Sequence, residues 1–129
     1  MIFPDGIRDG LEVVVETGKI ADIRERSAAD SIDLAGNYLA PGFIDLHVHG
    51  ALGRDTMEAT SESFRVICDY HATGGTTSLL LTTVTAPIPE IVKVLRAVRT
   101  LAGSIKQIAG VHVEGPFISR KRAGAQRTE

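Results

Sequence analysis

The chain has 129 residues, 43% of them hydrophobic, and 14 basic against 16 acidic side chains leave a formal charge of −2. That length suits one packed domain, and the charge balance excludes the basic footprint of a nucleic-acid binder and offers no attraction to an acidic membrane surface. The one cysteine, Cys68, cannot form an internal disulfide, Met1-Ile2-Phe3-Pro4 lacks the basic-then-apolar pattern of a signal peptide, and no window approaches a membrane span, so a soluble, cytoplasmic protein is expected.

In chain order, the valine-rich stretch Leu11 to Glu16, the short loop Thr17-Gly18-Lys19 and the alternating stretch Ile20 to Arg24 predict a β-hairpin. Ser31 to Leu34 is a further strand candidate before the turn-forming Gly36-Asn37, so residues 1–40 read as a small antiparallel β unit. After Pro41-Gly42 the pattern changes. Phe43 to His49 predicts a strand, and Ser61 to His71 a helix with Phe64, Ile67 and Cys68 on one side, Thr60 or Ser61 as its cap and Gly74-Gly75 closing it. Thr76 to Thr83 predicts a second strand, Glu90 to Leu101 a helix with Ile91, Val94, Leu95 and Val98 in one stripe behind Pro87 and Pro89, and Ile105 to Val113 a third strand. Strands and helices in this alternation point to successive βα units around a parallel sheet.

Chemistry enters at Asp45-Leu46-His47-Val48-His49. Residues i and i+2 of a strand leave the same face, so His47 and His49 would project together, with Leu46 and Val48 on the other side. Two imidazoles can hold a divalent ion, although two ligands do not close a shell. The third strand ends in His112-Val113-Glu114-Gly115-Pro116-Phe117, and parallel strands end at one rim, so Glu114 could join the pair. Two imidazoles and a carboxylate suit Zn²⁺ or Fe²⁺ with positions left for water and substrate, which is the set-up for metal-assisted hydrolysis. His112, on the same strand face as Glu114, reads as a further metal contact or as a donor that orients Glu114. Asp45 reads as structural or as support for a ligand, His71 as a surface residue or a C-terminal helix cap, and Arg120, Lys121, Arg122 and Arg127 as a solvated basic loop or an attraction for a phosphate group. Gly53-Arg54-Asp55 falls in the loop after the first strand of the sheet.

The run from Asp33 through Pro41-Gly42-Phe43-Ile44-Asp45-Leu46-His47-Val48-His49-Gly50 resembles the opening of the metal-dependent amidohydrolase superfamily. Within it, His112-Val113-Glu114-Gly115-Pro116-Phe117-Ile118-Ser119, the following Lys121-Arg122-Ala123-Gly124-Ala125-Gln126, and Gly74-Gly75-Thr76-Thr77-Ser78 resemble the N-acetylglucosamine-6-phosphate deacetylase family. The resemblance implies an α/β fold made of the first three βα units of a (β/α)₈ barrel (residues 41–129), preceded by strands of a small β domain (residues 1–40). It implies Glu114 as a metal ligand beside His47 and His49, one divalent ion or two, and Ala125 and Gln126 as substrate-binding residues. Gln126 stands where many members carry histidine. The implied reaction removes acetate from the 2-acetamido group of an amino-sugar phosphate, in a protein that forms a homo-oligomer, a dimer.

The family's chains are longer, and its further histidine ligands and general acid/base aspartate would lie beyond Glu129. The chain alone is therefore expected to be inactive and, with an open sheet edge and an uncovered apolar face, to self-associate or remain marginally folded. Two other readings share parts of the pattern. Another amidohydrolase, a dipeptidase or cyclic amidase, would keep His47 and His49 without Glu114-Gly115-Pro116-Phe117, and a non-catalytic metal-binding or interaction domain would need more ligands than the chain supplies.

Overall fold

A computed structural model describes residues 1–27 and 31–128. The chain divides into two compact units, Met1–Pro41 and Gly42–Glu129. Among the described residues, no helix is long and apolar enough to cross a membrane.

Among its described residues, the first unit contains two hairpins. Strands β1 (Ile2–Phe3) and β2 (Gly6–Ile7) pair antiparallel, as do β3 (Leu11–Glu16) and β4 (Lys19–Glu25). Thr17 (φ 51°) and Gly18 (φ 74°) both adopt left-handed backbone between the paired Glu16 and Lys19. A two-residue turn of this hand matches the twist of its strands, and glycine accommodates it without steric cost. The expected strand from Ser31 to Leu34 does not form. Its polar groups are used locally: Asp33 Oδ1 accepts from the Ala35 N–H at 2.9 Å, and the Asn37 N–H donates to the Leu34 carbonyl at 2.9 Å. Such Asx-type bonds favour a turn over a ladder. The Arg24 guanidinium, 2.7 Å from Glu12, holds the Glu12 carboxyl below its usual 4.5.

In the second unit, β5 (Phe43–Val48), β8 (Thr76–Thr82) and β9 (Ile108–His112) form a parallel sheet in that order, with β8 central. Helices α1 (Ser61–Thr73) and α2 (Ile88–Leu101) are the crossovers. One apolar cluster joins them to the sheet, with Phe64, Ile67 and Cys68 of α1 and Val94 and Val98 of α2 packed with Val48, Leu79, Leu81 and Ile108. Thr60 caps α1 by accepting from the Ser63 N–H at 3.1 Å. The α2 stripe is narrower than expected, since Leu95 is exposed. Burial pushes the Cys68 thiol up to about 11, which leaves it protonated, a small apolar member of the core.

Strand β9 is shorter than the expected Ile105 to Val113. Ile105 serves the core from a turn instead, its N–H bonded to the Leu101 carbonyl and its own carbonyl accepting from Ile108. The loop after β5 is also ordered. Strands β6 (Gly50–Ala51) and β7 (Arg54–Asp55) make a small hairpin that runs into a 3₁₀ turn at Thr56–Glu58. Asp55 and Glu58 cap that turn reciprocally, and Arg54 pairs with Glu58 and Glu62. Glycine is required at Gly50, where an added Cβ would stand 2.1 Å from the Arg54 carbonyl.

Two outcomes are expected. Phe64 is fully buried at the centre of the cluster, so Phe64→Ala lowers the unfolding free energy by about 3–5 kcal/mol; a urea midpoint unchanged from wild type would refute the packing described. Because Glu12 has a depressed pKa in the fold, its stabilising contribution is present above 4.5 and fades as pH falls through the folded-state value. The exposed pair makes this effect small, and Glu12→Gln removes it from the acid limb of a stability–pH curve.

Candidate metal centre

The parallel order of β5, β8 and β9 brings their carboxyl ends to one edge of the sheet, and the titratable residues gather there. His47 is the penultimate residue of β5, His49 follows the strand, and Glu114 lies two residues beyond β9. A bulge separates the pairs Asp45↔Leu79 and Val48↔Leu81, so β5 carries one extra residue at this point. Val48 enters the core, whereas Leu46 is exposed. The two rings nevertheless converge, with His47 Nε2 and His49 Nε2 3.0 Å apart. Glu114 Oε2 is 3.1 Å from each of them.

Each donor is held from behind. The Asp45 carboxylate accepts from the His47 N–H at 3.0 Å. The Thr82 carbonyl lies 3.2 Å from His49 Nδ1. A carbonyl can only accept, so Nδ1 carries the proton and Nε2 of neutral His49 is a bare lone pair facing Glu114. The Thr82 hydroxyl accepts from the Val48 N–H at 2.9 Å, and Thr56 takes the His49 carbonyl through its N–H at 2.7 Å. Thr83 Oγ1 accepts from the Glu114 N–H at 3.0 Å and donates to the Glu114 carbonyl at 3.3 Å.

His112 has a different place from the expected one. Its Nδ1 lies 3.2 Å from the Leu46 carbonyl and its ring meets His47 edge-on, with centroids 4.8 Å apart. It therefore braces the strand that carries His47, reaching across β8, rather than orienting Glu114. His71 remains on α1 with a buried Nε2 that has no hydrogen-bond partner among the described residues. Ala125 is exposed, and the Gln126 Oε1 accepts from the Thr85 N–H at 2.6 Å. A cavity of about 210 Å³ lies beside this contact, lined by Thr85, Ala86, Asp55, Glu90 and Arg127 among others, and none of the three donors lines it. Sequence reasoning missed Thr56, Thr82 and Thr83. The signal available was a pair of threonines ending a strand whose preceding residues are leucines.

His47, His49 and Glu114 are suited to a divalent ion. Donors bound to one ion at about 2.0–2.2 Å stand roughly 3–3.5 Å from each other, and the three separations here, 3.0–3.1 Å, fall at the close end of that range. Glu114 Oε2 is buried and has no hydrogen-bond partner among the described residues. A carboxylate oxygen facing a bare imidazole nitrogen is two acceptors opposed, an arrangement that a cation between them turns from repulsive to favourable. The His47 side chain is 48% exposed and that of His49 37%, so the centre is open on one side for further ligands or substrate.

A parallel βα sheet with imidazoles and a carboxylate at its strand ends is shared by a broad class of hydrolases, and residues 38–129 match the amidohydrolase family model. The chain belongs to the amidohydrolase family. Among curated relatives, it is 36% identical to the N-acetylglucosamine-6-phosphate deacetylase of Lysinibacillus sphaericus, over 94% of this chain and 33% of the relative. It is 38% identical to the enzyme of the same name from Vibrio furnissii, over 95% of this chain and 32% of the relative. The crystal structure of N-acetylglucosamine-6-phosphate deacetylase from Pasteurella multocida superposes with a TM-score of 0.88 at 30% identity, covering 96% of this chain and 34% of that one. The chain thus spans about a third of the length of the curated relatives it matches.

The hydrogen bonds fix a spectroscopic expectation. At a pH where the rings are neutral, His49 and His112 are both Nδ1–H tautomers, donating to the Thr82 and Leu46 carbonyls. Long-range ¹H–¹⁵N correlation spectra of the imidazoles check this, and an Nε2–H signature for His49 would remove the bare donor on which the centre depends.

Proposed function

We propose that this chain is the N-terminal part of an N-acetylglucosamine-6-phosphate deacetylase, in which residues 41–129 are the first three βα units of a (β/α)₈ barrel and residues 1–40 contribute strands of a small β domain. His47, His49 and Glu114 hold Zn²⁺ or Fe²⁺ in this reading, as one ion or as part of a two-ion site. The observation that carries it is the unprotonated His49 Nε2 converging to 3.1 Å on Glu114 Oε2, which has no hydrogen-bond partner among the described residues, in a chain whose relatives bear that enzyme's name over nearly its whole length.

Held by His47, His49 and Glu114, a divalent ion would supply Lewis-acid polarisation of the acetamido carbonyl and a water nucleophile at neutral pH. The residues of this chain then have distinct tasks. The Thr82 carbonyl keeps His49 in the tautomer that offers Nε2, and Glu114 supplies the negative charge that balances the ion. Ala125 and Gln126 line the sugar side. With Oε1 committed to the Thr85 N–H, Gln126 has its amide N–H groups to offer a sugar hydroxyl. The acid/base aspartate implied by the resemblance is outside residues 1–129, so proton delivery to the departing amine is not supplied here. The whole protein, in this proposal, is a cytoplasmic homodimer.

The test is acetate release from N-acetylglucosamine 6-phosphate by the natural gene product that carries this sequence. Metal-loaded protein is expected to turn over, and a chelator to abolish turnover reversibly. Glu114→Gln is expected to lower kcat/KM by more than the roughly 10–100-fold typical of groups that merely support a ligand. Residues 1–129 alone are expected to give no turnover. Absence of acetate release by the metal-loaded natural product would overturn the reading.

A further inference from the structure

The three donors lie on or just beyond the two outer strands, and the strand between them carries none. We propose that Thr83 is a positioning residue for the centre, its hydroxyl fixing the Glu114 backbone so that the carboxylate meets both imidazoles at the spacing of a divalent ion. This rests on the metal reading above.

Thr83 follows the end of β8 and is fully buried. The β8–β9 ladder reaches its last pair at Thr82↔His112, and the Thr83 N–H still donates to the His112 carbonyl at 3.1 Å. Beyond that point the chain departs from the strand, with Gly115 at φ +76°. The Thr83 hydroxyl bridges the gap by bonding both backbone groups of Glu114, at 3.0 and 3.3 Å. A side chain thus takes over where backbone pairing stops, and it does so at the residue that bears the carboxylate.

The other side of Glu114 is equally constrained. A Cβ on Gly115 would stand 2.4 Å from Thr85 Oγ1 and 2.9 Å from Thr85 Cα, so the backbone there lies directly against the segment after β8. Glu114 is therefore set from both directions by residues 83–85. The apolar cluster that holds the unit together uses Leu79, Leu81 and the helices, not this hydroxyl. Thr83→Val keeps the shape and removes both hydrogen bonds, whereas Thr83→Ser keeps the hydroxyl and removes a methyl group.

The experiment uses the natural gene product carrying this chain, stripped of metal and titrated with Zn²⁺ against a chromophoric chelator, with Co²⁺ absorption as a second reading of ligand geometry. Thr83→Val is expected to weaken Zn²⁺ binding roughly 10–100-fold and to change the Co²⁺ bands, and Thr83→Ser to restore both to near the unsubstituted protein. Equal affinity and bands in Thr83→Val overturn the proposal. So does a Thr83→Ser variant as weak as Thr83→Val, because the methyl group and not the hydroxyl would then matter. Thr83→Ala provides a second hydroxyl-free variant; failure of both Val and Ala variants to fold, judged by circular dichroism with and without metal, overturns the proposal in favour of a purely structural hydroxyl. An unsubstituted protein that takes up neither Zn²⁺ nor Co²⁺ defeats the metal reading itself, whereas binding that is indifferent to Thr83 defeats only the positioning role.

Discussion

Parallel pairing on both flanks of β8 is the constraint from which the centre follows. Strands that run the same way finish at the same edge, so residues distant in sequence arrive together once the ladders β5–β8 and β8–β9 form. His47 and His49 come to that edge from β5 and Glu114 from just past β9. The crossover helices supply the apolar cover that makes the pairing stable, through Phe64 and Ile67 of α1 and Val94 and Val98 of α2.

A strand edge is also where backbone groups lose their ladder partners, and buried ones must find others. Three fully buried threonines answer that need. Thr56 takes the Val48 and His49 carbonyls, Thr82 the Val48 N–H, and Thr83 both backbone groups of Glu114. Each bond satisfies a polar group of a donor residue or its neighbour, so the requirement of the fold and the placement of the site are met by the same threonines. The neat division between core residues and site residues does not hold at this edge.

The face of β5 away from the core has a different character. Phe43, Ile44 and Leu46 are all more than 60% exposed, as are Val15 and Ile20 on the β3–β4 hairpin. In each unit taken by itself, large apolar side chains left this open are surface that favours burial.

Local pattern was enough to determine the β3–β4 hairpin, the two helices and the three strands of the parallel sheet, though not the short hairpins β1–β2 and β6–β7. The valine alternation before Thr17-Gly18 specified the hairpin, helical spacing of Phe64, Ile67 and Cys68 specified α1, and the recurrence of strand after helix specified a parallel sheet. Alternation in Asp45-Leu46-His47-Val48-His49 marked the two imidazoles as a pair, and a carboxylate at a strand end marked Glu114. Only tertiary structure decided which acceptor each nitrogen faces and which hydroxyl anchors which backbone group, because those partners come from other strands and from the loops. The same reason explains the discrepancies. Ser31 to Leu34 has strand-forming residues but uses its polar groups in a turn, Ile105 joins the core without joining the strand, and His112 braces β5 because the neighbour across the sheet edge, which no local spacing reveals, is the Leu46 carbonyl.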